Sequence, residues 1–172
     1  YGVRVLVDGA HAFGHIQFSI QDLHCDYYGT SLHKWLTVPL GAGFLYINKD
    51  QIADLWPLFA EDPRDLEDIL RLNHVGTYPA HTDLAIINAI DYHHKIGGSR
   101  KEARLRYLQK YWTDQVRELS KVVVNTPVDS KRYCAIGNVG IETMGPADFA
   151  KKLLDDYQIW TVAIDRPGVR GL

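Results

Sequence analysis

Residues 5–14, VLVDGAHAFG, and residues 26–47, DYYGTSLHKWLTVPLGAGFLYI, decide the fold. The run Val3 to Val7 is short, apolar and β-branched, and it ends at Asp8. That pattern predicts a strand buried on both faces, as in parallel sheets. Asp26-Tyr27-Tyr28 predicts a second strand that reaches Gly29-Thr30-Ser31, and Gly43 to Ile47 predicts a third that Asn48 closes. Short strands alternating with longer connections indicate an α/β sheet.

Working outward, Pro57, Pro63 and Pro79 interrupt any long helix between residues 50 and 80. A short helix is expected from Arg64 to Leu72. Leu84, Ile87 and Ile90 recur at helical spacing, with Ile86 beside them, and Gly97-Gly98 predicts the end of that helix. Ser99 and Glu102 match a capping box. Leu105, Leu108, Trp112, Val116 and Leu119 then share one face of a helix expected to reach Ser120. Val122-Val123-Val124, Cys134 to Ile141 and Ile159 to Ile164 read as strands. Pro146 suits a first helical turn, with Phe149, Leu153 and Tyr157 on one face. The expected division is a large-domain part over 1–97, a linking helix over 98–120 and a small α+β domain over 121–172.

The 19 basic and 21 acidic residues are dispersed and leave a net charge of −2. Nucleic-acid binding through counterion release therefore has little support. No apolar run approaches the roughly 20 residues that span a bilayer, and no signal peptide opens the chain. Cys25 and Cys134 form no CxxC pair, which suits free thiols and a cytoplasmic location. Tyr1 leads almost directly into a strand and the chain stops soon after Arg170, so a fragment of a longer protein is expected.

The chemistry concentrates between Asp8 and Lys34. Asp8 ends a strand, where open α/β sheets bind ligands. His11 follows in the same loop, and Ser31-Leu32-His33-Lys34 follows the second strand. Each residue alone has an ordinary explanation: a turn aspartate, a loop histidine, a solvated lysine. Together they supply what a pyridoxal cofactor requires. A lysine forms an imine with its aldehyde, and a carboxylate keeps the ring nitrogen protonated so that the ring takes up electrons. Hydroxyl and imidazole donors hold the phosphate.

These two stretches resemble the class V aminotransferases, which are pyridoxal-phosphate enzymes of fold type I. The shared pattern is an aspartate loop followed by S/N-x-H-K, and the "DGAHA" and "HKWL" variants look closest to the isopenicillin N epimerase-like branch. The resemblance implies a partial, mainly parallel α/β sheet of the large domain, followed by the small domain. It implies pyridoxal 5'-phosphate as cofactor and an amino acid as substrate. Lys34 would form the Schiff base and shuttle the Cα proton. Asp8 would pair with the ring nitrogen, His11 would stand beside the ring hydroxyl, and Ser31 and His33 would contact the phosphate. Asn73 to Thr77 resembles the family's "GT" segment, in which Gly76 and Thr77 would reach the phosphate of the neighbouring subunit in a homodimer with shared active sites. Residues 159–172 hold no cysteine, which disfavours cysteine desulfuration and leaves aminotransfer, epimerisation or lyase chemistry open.

Two other classes remain open at this point. One is a non-catalytic homologue or incompetent fragment that acts as a dimerisation scaffold. The other is a metal-dependent hydrolase built on the histidines. His11 and His15 have an H-x-x-x-H spacing, but Gly14 between them argues against the helix that a metal pair needs, so no metal ligands are assigned.

Overall fold

The computed structural model describes residues 2–60, 64–74 and 76–172. The chain divides into two compact units, Tyr1–Gly98 and Ser99–Leu172.

The first unit is built on a three-stranded sheet in the order β1-β2-β3, with β1 Leu6–Asp8, β2 Tyr27–Ser31 and β3 Gly43–Ile47. β1 and β2 run parallel, with Asp8 opposite Gly29, while β3 returns antiparallel, with Ser31 opposite Gly43. A Cβ on Gly43 would sit 2.7 Å from the Thr30 carbonyl oxygen, so this pairing needs glycine there. The parallel pair carries Asp8 and Ser31 to the same end of the sheet.

β1 differs from the expected strand. It is three residues long rather than spanning Val3 to Val7, and Leu6 is 66% exposed. The expectation of a run buried on both faces fails: Val3, Val5 and Leu6 are exposed, and Val7 is half-buried. The core is formed instead by Leu32, Leu36, Val38, Ala42 and Ala89, which pack with Phe13, Phe44 and Ile86. Full burial of each leucine contributes about 1.5–3 kcal/mol.

α1 spans Ala80–Ile96 and ends at Gly97, whose φ of 86° lets its N–H close on the His93 carbonyl. Its buried face is Thr82 and Ala89 with Ile86 alongside. The predicted stripe points outward instead: Leu84 is 75% and Ile87 66% exposed. The expected helix over Arg64 to Leu72 is a single 3-10 turn, Ile69–Leu72. The Asp65 carboxylate takes the Glu67 N–H at 3.1 Å and Asp68 takes that of Leu70 at 2.9 Å. Such local bonds offer the backbone an alternative to the helix. Buried Arg71 closes the segment by donating to the carbonyls of Leu66, Ile52, Ala53 and Leu55.

α2, Gly98–Val116, opens at the last residue of the first unit and otherwise belongs to the second, which also contains β4 Val122–Val124, β5 Val139–Ile141, α3 Pro146–Tyr157, β6 Ile164–Arg166 and β7 Val169–Gly171. α2 starts one residue before Ser99, so the expected cap lies inside the first turn, and Glu102 pairs with Arg106 at 2.7 Å instead. Gln109 and Thr113 are its buried residues, and it stops at Val116 rather than Ser120. Gly137 accommodates the Trp112 ring, which a Cβ would meet at 2.6 Å. β4 pairs antiparallel with β5, and β5 joins the β6–β7 hairpin through paired bonds between Val139 and Leu172. α3 begins at Pro146, as expected, and packs on β5 and β6.

The last predicted strand moves. Ile159 to Ala163 form no strand, and the chain pairs only from Ile164, across a Pro167-Gly168 turn in which Gly168 has φ 82°. Proline followed by a left-handed glycine favours that reversal. Among the described residues no helix is long and apolar enough to cross a membrane.

Candidate functional site

The site forms at the sheet end shared by β1 and β2. Asp8 is the last residue of β1, and its carboxylate accepts the Ala10 N–H at 3.0 Å, so its second oxygen is uncommitted among the described residues. The chain turns at Gly9. Gly9 N–H donates to the Gly29 carbonyl at 2.8 Å, and the Gly9 carbonyl accepts the hydroxyls of Tyr28 at 3.3 Å and Thr30 at 3.2 Å. A Cβ on Gly9 would collide with the Tyr28 ring, which is wholly buried. Burial raises the Tyr28 hydroxyl above its usual pKa, followed by Cys25 and Asp8.

Lys34 sits in the connection between β2 and β3. The Leu32 N–H donates to the Ala42 carbonyl at 3.0 Å, and that of Val38 to the Leu32 carbonyl at 3.2 Å. Buried Leu32 and Leu36 pin this loop on either side of Lys34 and Trp35. Thr37 holds φ at 65°, a left-handed conformation that costs an L residue on the order of 1–2 kcal/mol.

The two loops meet through side chains. Lys34 Nζ lies 3.3 Å from His11 Nε2, and the Trp35 indole N–H donates to His11 Nδ1, also at 3.3 Å. Trp35 stacks on His15 with centroids 3.8 Å apart and planes 6° apart. His15 Nδ1 in turn lies 2.7 Å from the His11 carbonyl oxygen. Gly14, at φ 72°, brings the first loop against the second; a Cβ there would be 3.1 Å from Leu36 N. His11 has a pKa below its ordinary value, first from burial and then from the Lys34 charge, with Asp8 opposing both. His11 thus responds to the amine and the carboxylate together.

Of the residues singled out from the sequence, Asp8, His11 and Lys34 converge here. Ser31, the last residue of β2, and His33, just before Lys34, are half-buried, and neither side chain has a hydrogen-bond partner among the described residues. Gly76 and Thr77 are exposed, and no contact among the described residues joins them to this group. Val75, between His74 and Gly76, lies outside the described residues.

Sequence reasoning missed Trp35, His15, Tyr28 and Thr30. The H-x-x-x-H spacing was the available signal, and it sets His15 Nδ1 2.7 Å from the His11 carbonyl oxygen. Among the described residues no three His, Cys, Asp or Glu side chains cluster as a metal site would require.

The arrangement offers a nucleophilic amine, an adjacent imidazole, a carboxylate at the strand end and donors beside them. The chain is 31% identical to the isopenicillin N epimerase of Amycolatopsis lactamdurans, over 96% of its own length and 46% of the relative's. It is 28% identical to a probable cysteine desulfurase of Methanothermobacter thermautotrophicus, over 90% of the chain and 40% of that protein. Among solved structures, a C-DES variant with glycine covalently linked to its PLP cofactor superposes with a TM-score of 0.80 at 20% identity, covering 94% of this chain and 44% of that one. The chain therefore carries a fold type I architecture and spans less than half the length of these relatives. The aminotransferase class-V family model matches residues 1–163, and the chain belongs to the class V aminotransferase family.

Proposed function

We propose that the full-length protein containing this chain is a pyridoxal 5'-phosphate enzyme that acts on an amino acid, with Lys34 as its catalytic amine. The observation that carries this reading is the 3.3 Å approach of Lys34 Nζ to His11 Nε2 at the sheet end that also holds Asp8. The donor set fits the cofactor: one amine, one carboxylate with an uncommitted oxygen, and a hydroxyl and an imidazole without a hydrogen-bond partner among the described residues. When bound, pyridoxal phosphate supplies an aldehyde for an amine and a protonated ring that takes up electrons from the substrate α-carbon.

The chain's own residues then divide the work. Asp8 holds the proton on the ring nitrogen through its charge. His11 donates beside the ring hydroxyl, and Ser31 and His33 donate to the phosphate. Gly76 and Thr77, exposed as they are, serve the phosphate of a second subunit in a homodimer. Lys34 moves the proton at the substrate α-carbon, within reach of a group that orients it.

Aminotransfer, epimerisation and lyase chemistry share this machinery and differ in where that proton goes next. Identity to the isopenicillin N epimerase, 31%, exceeds the 28% to the cysteine desulfurase, which supports an epimerase-like branch. Both thiols, Cys25 and Cys134, are buried, and burial raises that of Cys134. Neither is placed as an exposed sulfur acceptor, which speaks against desulfuration.

Borohydride reduction of the purified full-length protein, followed by peptide mass spectrometry, tests the assignment. The expected product is a pyridoxyl phosphate adduct on Lys34 that Lys34→Ala abolishes. An unmodified wild-type Lys34, or an adduct on another lysine, overturns it.

A further inference from the structure

We propose that Trp35 is a positioning residue whose indole N–H fixes His11 as the tautomer with its proton on Nε2, turned toward Lys34. The inference rests on the reading of Lys34 as the cofactor-bearing amine.

An indole N–H can only donate. At 3.3 Å from Trp35 Nε1, His11 Nδ1 is therefore the acceptor and carries its lone pair. With Nδ1 so engaged, the single N–H of a neutral imidazole falls to Nε2, the atom 3.3 Å from Lys34 Nζ; this holds with a neutral amine, because a protonated Lys34 would itself donate and compete with the indole for the one lone pair. The indole is itself fixed, because it stacks on His15 at 3.8 Å and His15 is held 2.7 Å from the His11 carbonyl oxygen. The contacts close a circuit: His11 backbone to His15, His15 to Trp35, and Trp35 back to the His11 ring. No member turns without breaking a contact of another.

This circuit decides what His11 presents to the site. With the proton on Nε2, the imidazole donates, to the lone pair of the free Lys34 amine or to an oxygen brought beside it. With the proton on Nδ1, Nε2 accepts, and it favours the protonated Lys34, which has no lone pair with which to attack an aldehyde. Trp35 thus selects the donor face of His11 without touching the reacting atoms.

The test uses the full-length apoprotein with 15N-labelled histidine. Long-range proton–nitrogen spectra of the wild type are expected to show His11 protonated on Nε2 with a bare Nδ1. Trp35→Phe removes the N–H and keeps an aromatic face for His15. Benzothienylalanine at position 35 keeps the bicyclic size and removes only the donor, which covers a folding defect in the phenylalanine variant. Both are expected to raise the population protonated on Nδ1. Both should slow capture of pyridoxal phosphate by about two- to tenfold, the worth of one net hydrogen bond. An unchanged tautomer in both variants, or capture at the wild-type rate, overturns the proposal. A tautomer shift on removal of the donor, in a wild-type protein that forms no borohydride-trapped adduct, supports the Trp35–His11 assignment and sinks the cofactor reading instead.

Discussion

Gly9→Ala tests the scaffold of the site directly, because the added Cβ would meet the Tyr28 ring. Gly9 is not among the left-handed residues, so its backbone accepts alanine, and the whole cost is steric. The added methyl would meet the ring of Tyr28, which is 0% exposed, at 2.0 Å. Overpacking of this kind costs about 1–3 kcal/mol. The smaller entropy of the unfolded alanine chain offsets roughly 0.4–1 kcal/mol of it. A net loss of about 1–2 kcal/mol is expected, measured as a lower urea midpoint with an unchanged slope. The decisive measurement is a double-mutant cycle with Tyr28→Val, which removes the ring. In that background Gly9→Ala is expected to be neutral or stabilising, giving a coupling of about 1–3 kcal/mol. Equal losses in the two backgrounds would show that the ring is not what holds Gly9, and the reasoning would fail. The same substitution shifts the backbone beside Asp8 and strains the Gly9–Gly29 bond of 2.8 Å, so weaker cofactor retention accompanies the lost stability.

Arg71→Met keeps the side-chain length but strands the carbonyls of Ile52, Ala53, Leu55 and Leu66, and a loss of about 3 kcal/mol is expected by denaturation, with faster amide exchange at 52–55. His11 titrates below its ordinary value of 6.5 because burial and the Lys34 charge disfavour the imidazolium. The sign follows: the unfolded chain binds the proton more readily, so the His11 contribution is complete above about 6.5 and is lost as pH falls through the lower folded value. His11→Gln should flatten that part of the stability–pH curve, and an NMR titration midpoint at or above 6.5 would contradict the assignment.

The strands nearest the site were legible because their signals are local. Tyr27–Ser31 and Gly43–Ile47 stand out by their β-branched and aromatic content, and Asp8 and Lys34 by their position beside strands. Pro146 and Gly97 marked helix ends because each acts through its own backbone. What failed depended on tertiary partners or on competing local bonds. The Leu84–Ile87 stripe has the right period, yet the core takes the face of Thr82, Ile86 and Ala89, which periodicity alone does not rank. Asp65 and Asp68 suit a helix by composition but spend their carboxylates on nearby amides. The Pro167-Gly168 turn was readable from its dipeptide, and the apolar run at 159–164 drew the strand away from it. The clamp of Trp35 on His15 and His11 exists only once two loops meet, so neither loop announces it.

The parallel pairing of β1 with β2 has a kinetic consequence. Asp8, His11 and Lys34 are brought together by closing a loop of modest length, since the Lys34–His11 contact joins residues only 23 apart in the chain. The entropy of closure grows slowly with loop length, and nearby contacts form faster than distant ones. During synthesis this stretch can close once α1, which brings Ile86 and Ala89 to its core, has cleared the ribosome, before Ser99–Leu172 has fully emerged. Mutations in that second unit should then leave the rate at which the Lys34 loop docks onto the Asp8 loop unaltered.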